Sequence, residues 1–384
     1  MPGKTILILG GGIGGQVAAN HLRRLLGREH RIVLVERERT YVFNPSLLWM
    51  IVGGREPAQI SRDLGRLARK GIEVIEAEVT AIDPAARRVR TSAGEFSCDY
   101  LIVALGAKLA HDLVPGWKPS AINFYCLKGA ELTRSALASF QGGRLCLVVA
   151  ATPYKCPAAP YEAAMLIADF FARRGMRNKV DLHVYTPEPL PMPVAGPAVG
   201  NAVRGMLEQR GIAFHPNLKL ECVDGETRTL RFGGGERAAF DLLLGVPPHQ
   251  APSVLRDSGL LGESGWIRVD ARTLKTRYDR VYAVGDVTTV MLPVGKPLPK
   301  AGVFAHHEAE TVAQNIAAEL QGSKPDHTFD GRGYCFLEIG SGRAGFAGGE
   351  FYATPEPRIT MRRPGYHWHW GKILFERWWL SHWF

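Results

Sequence analysis

Cys156 stands where glycines are expected. The stretch Arg144-Leu-Cys-Leu-Val-Val-Ala-Ala-Thr-Pro-Tyr-Lys-Cys156-Pro-Ala-Ala-Pro-Tyr-Glu162 reads as an apolar strand at Leu145–Val149, a tight turn, and a helical pattern from Ala158 to about Arg174. In a dinucleotide-binding unit such a turn carries glycines, so that a pyrophosphate can approach the helix N-terminus. Here it carries Pro, Tyr, Lys and Cys, the grammar of a nucleotide slot given over to sulfur chemistry. A thiol opening a helix would meet the positive end of the helix dipole, which lowers its pKa and favours the reactive thiolate.

The other cysteines are Cys98, Cys126, Cys146, Cys222 and Cys335, and no two of the six form Cys-x-x-Cys. That spacing excludes a zinc ribbon and a thioredoxin-type motif. Cys146 sits in the middle of an apolar run and, with Cys98 and Cys222, reads as an inert buried thiol. His306-His307-Glu308 lies on a helix without metal-ligand spacing and reads as structural.

The elements that would position this thiol follow a repeated plan. Thr5-Ile-Leu-Ile-Leu-Gly10-Gly-Gly12-Ile-Gly-Gly15 leads into a helix to about Leu26 and a strand Ile32–Val35 ending at Glu36. Gly10 permits the turn, Gly12 lets backbone reach a pyrophosphate, and Gly15 permits close helix–strand packing. Glu36 is placed to accept ribose hydroxyls. Two later apolar strands end in Gly106 and in Gly285-Asp286. Both resemble the later fingerprints of two-dinucleotide-domain flavoproteins, a resemblance that implies the Asp286 carboxylate on the ribityl chain of FAD, and three fingerprints in this order favour FAD.

The expected architecture is α/β: two nested Rossmann-like dinucleotide-binding units, then a C-terminal strand and helix region that associates with a membrane. Residues 1–116 and 246–322 make the FAD unit, 117–245 the second unit with its cysteines, and 323–384 the remainder. Thr186–Pro197 is too rich in proline for a helix or central strand and reads as a loop. Residues 334–346 read as two strands joined by a Ser-Gly turn, followed by a Pro-broken segment around 355–364. Five of the eight tryptophans fall between Trp368 and Phe384.

At 384 residues and 46% apolar the chain buries a large core. Its net charge of +10 is scattered, with no basic block and no nucleic-acid module, so nucleic acid is not expected as a partner. No apolar run reaches the ~18 residues of a membrane span, and Met1 leads almost directly into the first strand without room for a signal peptide. Dense tryptophan suits the headgroup layer of a bilayer, and a basic surface adds attraction for anionic lipid. The expected place is therefore the cytoplasmic face of the cell membrane, bound peripherally. A core or dimer contact of aromatics is the plainer alternative.

Cys126 in Phe-Tyr-Cys-Leu-Lys-Gly, Cys156 in Lys-Cys-Pro-Ala-Ala-Pro, and Cys335 in Gly-Tyr-Cys-Phe-Leu-Glu resemble the three redox cysteines of sulfide:quinone oxidoreductases. Phe43-Asn-Pro45-Ser and Met291-Leu-Pro-Val-Gly-Lys-Pro-Leu-Pro-Lys300-Ala-Gly resemble that family's segments beside the flavin. The resemblance implies oxidation of sulfide to polysulfide or sulfur, with electrons passing through FAD to membrane quinone. It implies that Cys156 and Cys335 meet at the flavin as a disulfide or polysulfide bridge, which hydrosulfide opens. Cys126 would accept or release sulfur, or hold FAD covalently. Glu162 would relay protons to quinone, since a carboxylate in an apolar setting is pushed toward its neutral form; a solvated helix glutamate is the plainer reading. Gly10, Gly12, Gly15, Glu36, Pro45, Val79, Gly106, Gly285, Asp286 and Lys300 would hold FAD, with the Lys300 charge near the pyrimidine. A homo-oligomer is compatible with all of this.

One departure concerns protons. Family members often carry histidines shortly after the first redox cysteine and in the Pro-rich loop, where this chain has Gly129, Ala130 and Pro193.

Three other functions are weighed. A type II NADH:quinone oxidoreductase would need glycines at residues 150–156. A flavocytochrome c-type sulfide dehydrogenase is exported with a haem partner, and no Cys-x-x-Cys-His occurs here. The third is a flavin-binding sulfur carrier without turnover.

Overall fold

The computed structural model describes residues 3–384. Its first sheet is entirely parallel, in the order Val281–Ala283, Tyr100–Val103, Thr5–Leu9, Arg31–Glu36, Glu73–Glu76. The central strands are continuous runs of Val, Ile and Leu because both faces of the sheet are buried, leaving no face for polar residues. The helices Ile13–Leu25 and Gly302–Leu320 pack against each other over this sheet. Strand order reverses at Thr5–Leu9, so a crevice opens at its C-terminal end, where open α/β sheets bind ligands.

A second parallel sheet repeats the plan: Ile122–Asn123, Leu242–Val246, Gly143–Val149, Val180–Tyr185, Ile212–His215. Its reversal falls at Gly143–Val149, and the turn leaving that strand carries Cys156 before the helix Ala159–Arg173 begins. The fold is thus α/β with two dinucleotide-type units.

The C-terminal residues form an antiparallel sheet of Arg332–Gly340, Arg343–Glu350 and Arg358–Gly365, followed by the helix Tyr366–His382. The third strand corrects the expectation of a Pro-broken segment. It is an edge strand, and its register shifts opposite Ala344–Phe346, close to Pro364, where a missing N–H costs no ladder bond.

The last helix is amphipathic in an inverted sense. Lys372, Glu376 and Trp379 face inward and are buried, while Tyr366, Trp370, Leu374 and Trp378, spaced four apart, are 63, 60, 62 and 44% exposed. The charges point in because partners wait there. Glu376 accepts from Arg55 Nε at 2.9 Å and from the Ser46 hydroxyl, and the Lys372 ammonium donates to Glu162.

Candidate active site

The N-terminal glycines behave as their spacing predicts. Gly10 takes φ +102°, a Cβ on Gly15 would fall 1.8 Å from the Gly10 carbonyl oxygen, and Gly12 has open space where its Cβ would be. That space is a groove of two joined cavities. One, of about 680 Å³, is lined by Gly10, Gly12, Glu36, Val79, Cys126 and Lys155 among others. The other, of about 300 Å³, is lined by Gly12, Glu36, Pro45, Gly106, Lys155, Cys156, Gly285, Asp286 and Lys300 among others. Gly15 lies behind the groove as a packing residue. Glu36 spans Gly11 N–H (2.7 Å) with one oxygen and Arg37 N–H (2.8 Å) with the other, which fixes its carboxylate at the groove wall.

The groove fits a dinucleotide on an observation independent of the glycines. Asp286 Oδ1 is buried and finds no hydrogen-bond partner among the described residues, an expensive arrangement unless a ligand hydroxyl completes it. The turn presenting Asp286 is held from behind by Glu308, whose carboxylate accepts the Gly285 N–H at 2.6 Å. Burial pushes Glu308 up to about 7. Lys300 is buried too. Its ammonium donates to the Asp286 and Thr288 carbonyls at 2.7 and 2.8 Å and sits 3.5 Å above the Trp266 ring, and burial brings it down to about 8.

On the far side of Cys156 lies a third cavity, about 370 Å³ and almost wholly apolar, which Cys156 and Cys335 line together. Cys156 and Lys300 belong to the walls of both this cavity and the groove. Cys156 therefore stands in the partition between the apolar chamber and the groove. The backbone holds it there, with Cys156 N–H donating to the Lys300 carbonyl at 2.6 Å and a φ of +52° at Cys156 itself. Cys335 arrives on the strand Arg332–Gly340, and both thiols are free in this structure.

One expectation is corrected here. The helix begins at Ala159, three residues beyond Cys156, and its dipole does not win. Burial, reinforced by Glu162, pushes the Cys156 thiol up to about 12. Burial and the neighbouring Cys156 raise Cys335 as well. Cys126 lines the groove, at the start of the helix Leu127–Ser139, and not the apolar chamber. Cys98 and Cys146 are pushed up to about 12 by burial and bond only to backbone carbonyls.

Glu162 is buried, not solvated, and faces the Lys372 ammonium. Burial pushes Glu162 up to about 7, while Lys372, desolvated but flanked by Glu162 and Glu338, is raised as well. Both shifts run toward proton uptake, so the pair holds a charged lysine beside a carboxylate that titrates near neutrality. Glu338 continues the chain to His369, whose Nδ1 lies 2.9 Å from its carboxylate.

Lys372, Glu338 and Glu188 were not singled out in the sequence. Lys372 and Glu376 had a legible signal, two charges four residues apart inside an otherwise aromatic run. Glu188 lay hidden in the Pro-rich loop.

Residues 4–309 match the family described as pyridine nucleotide-disulphide oxidoreductase. The chain is 27% identical over 376 residues to the mitochondrial sulfide:quinone oxidoreductase of Mus musculus, covering 93% of this chain and 80% of that one. The corresponding protein of Dictyostelium discoideum is 27% identical, with 86% and 74% covered. Among solved structures, the sulfide:quinone oxidoreductase of Aquifex aeolicus superposes with a TM-score of 0.89 at 24% identity, covering 98% and 90% of the two chains.

Proposed function

Because this chain belongs to the pyridine nucleotide-disulphide oxidoreductase family, we propose that it oxidises sulfide at a cysteine pair and passes the electrons through FAD to a membrane quinone. One observation carries the reading: Cys156 borders both the chamber that holds Cys335 and the groove that fits a dinucleotide. The mouse and Dictyostelium relatives, named for sulfide and quinone, support it.

In this reading Cys156 and Cys335 cycle between a disulfide and a persulfide–thiolate pair. Hydrosulfide attacks one sulfur, which keeps the new sulfur atom, and the other leaves as a thiolate. Burial makes that thiolate costly, and a thiol of high pKa yields a strongly nucleophilic anion. Bound FAD would supply two-electron acceptance from sulfur and donation to quinone. Glu36 and Asp286 would bind its ribose and ribityl hydroxyls, and Cys126 stands beside the groove where sulfur or a covalent link could engage it. Quinone takes up two protons with its two electrons, and Glu162, titrating near neutrality beside Lys372, is placed to give one.

No helix of the described residues is long and apolar enough to cross a membrane. The exposed row Tyr366, Trp370, Leu374 and Trp378, with exposed Arg362, Arg363 and Arg377 around it, suits the interface of an anionic bilayer. Each large side chain buried in lipid contributes about 1.5–3 kcal/mol. Replacing Trp370, Leu374 and Trp378 together by Ser is expected to release the protein from anionic vesicles in a flotation assay while leaving Tm unchanged. Equal flotation of the variant would remove the helix from the membrane.

The test of the function is anaerobic. Sulfide should bleach the flavin of the purified protein and NADH should not. Bleaching by NADH alone would install the type II NADH:quinone activity, and bleaching by neither would leave a carrier.

A further inference from the structure

The chamber shared by Cys156 and Cys335 is lined mainly by Pro, Val, Ala, Met and Phe side chains. A hydride of sulfur entering it must lose protons, and no histidine lines it among the described residues. One carboxylate does: Glu188, from the Pro-rich loop. Its two oxygens are unequal. Oε2 accepts from the hydroxyls of Tyr154 at 2.7 Å, Tyr161 at 2.8 Å and, more weakly, Thr186 at 3.5 Å. Oε1 accepts no hydrogen bond from the described residues, and it is not among the buried atoms left without a partner. It is the accessible oxygen. Tyr154 comes from the same turn as Cys156, and Tyr161 from the helix that follows, so the carboxylate is clamped to the element that carries the thiol.

We propose that Glu188 is the base that takes the proton from hydrogen sulfide in this chamber. The inference rests on the sulfide-oxidising reading above. Hydrogen sulfide gives its proton to Glu188 Oε1 and becomes hydrosulfide. The hydrosulfide electron pair then forms a bond to one sulfur of the Cys156–Cys335 disulfide, that S–S bond breaks, and the second cysteine leaves as a thiolate. The cysteine disulfide is the oxidant, and the proton on Glu188 passes to water at the rim, where Pro189, Lys296 and Tyr334 are exposed. The groups around the carboxylate suit this cycle. Tyr154 and Tyr161 hold it by hydrogen bonds, Thr186 caps it from its own loop, and Lys296, Lys300 and the two thiols line the same chamber. Burial raises Glu188 above the ordinary carboxylate range, against the pull of the three hydroxyls, which brings it nearer to the acid it must deprotonate.

The experiment is anaerobic stopped-flow bleaching of the flavin by sulfide across pH, for the parent and Glu188→Gln, each first shown to bleach with dithionite. General-base catalysis contributes about 100-fold or more. The variant should be slowed by that factor at mildly acidic pH, above the parent's acidic limb, where hydrogen sulfide predominates and Glu188 is ionised, and should approach the parent at alkaline pH, where hydrosulfide arrives already formed. A variant equal to the parent throughout, or slowed equally at every pH, would overturn the assignment while leaving the sulfide reaction standing. A parent that sulfide fails to bleach would overturn the function itself. Should Glu188→Gln fail to fold, Tyr161→Phe reads the same point: loss of a bond to the charged carboxylate raises its pKa, so the acidic limb of the profile must move to higher pH, and an unmoved limb rejects Glu188.

Discussion

Cys156→Ser and Cys335→Ser each give a folded, flavin-bearing protein that sulfide no longer bleaches, whereas Cys98→Ser is bleached at the parent rate. The expectation follows from where the three thiols sit. Cys156 and Cys335 face one chamber, and Cys156 also borders the dinucleotide groove, so either serine removes one end of the S–S bond that hydrosulfide must attack. A serine oxygen cannot replace it, because it forms no disulfide. Cys98 is pushed up to about 12 by burial, donates to the Arg87 carbonyl and lines neither cavity. Stability should change little in the two site variants, since the replaced groups are single atoms in walls of an existing cavity. The readout is flavin absorbance after anaerobic sulfide addition, with dithionite bleaching as the control. Full activity in either site variant would dismantle the disulfide chemistry. Cys126→Ser reports separately on the groove, because its thiol is placed with Gly10 and Val79 and not with the pair.

Much of this arrangement is legible in the sequence. Glycine spacing announces a conformation, and Gly10 and Gly15 are where they are because backbone must turn and two elements must touch. The same logic in reverse drew attention to Cys156, a side chain in a turn that usually has none. Local rules misjudged its protonation. A helix dipole is a property of the segment, whereas the burial that overrides it comes from the segment 296–301 and the strand Arg332–Gly340, which no window around residue 156 contains. Glu188 was invisible for a related reason. A loop of prolines reads as solvent-exposed, and only the tertiary fold lays it over a chamber. The edge strand Arg358–Gly365 was missed because Pro364 vetoes a central strand and says little about an edge.

The last helix yields the other large effect. Glu162 and Lys372 are buried against each other, and removing one partner strands the other charge in an apolar interior at a cost of about 3–5 kcal/mol. Against a typical total of about 5–15 kcal/mol, Lys372→Met alone should lower the denaturation midpoint sharply. The double variant Glu162→Leu, Lys372→Met should recover most of that loss, because two well-packed apolar groups often equal a buried ion pair. Recovery of fold without recovery of quinone reduction is the informative result. Glu162 is pushed up to about 7, so it holds its proton below that pH and lacks one above it. Reoxidation of the reduced flavin by quinone should therefore fall as pH rises through about 7 in the parent. In the double variant it should be about 100-fold slower and flat with pH, while sulfide still bleaches the flavin. A double variant that folds and reduces quinone with the parent profile would make the pair a structural bolt between the last helix and the cysteine-bearing one, and would move the proton donor elsewhere.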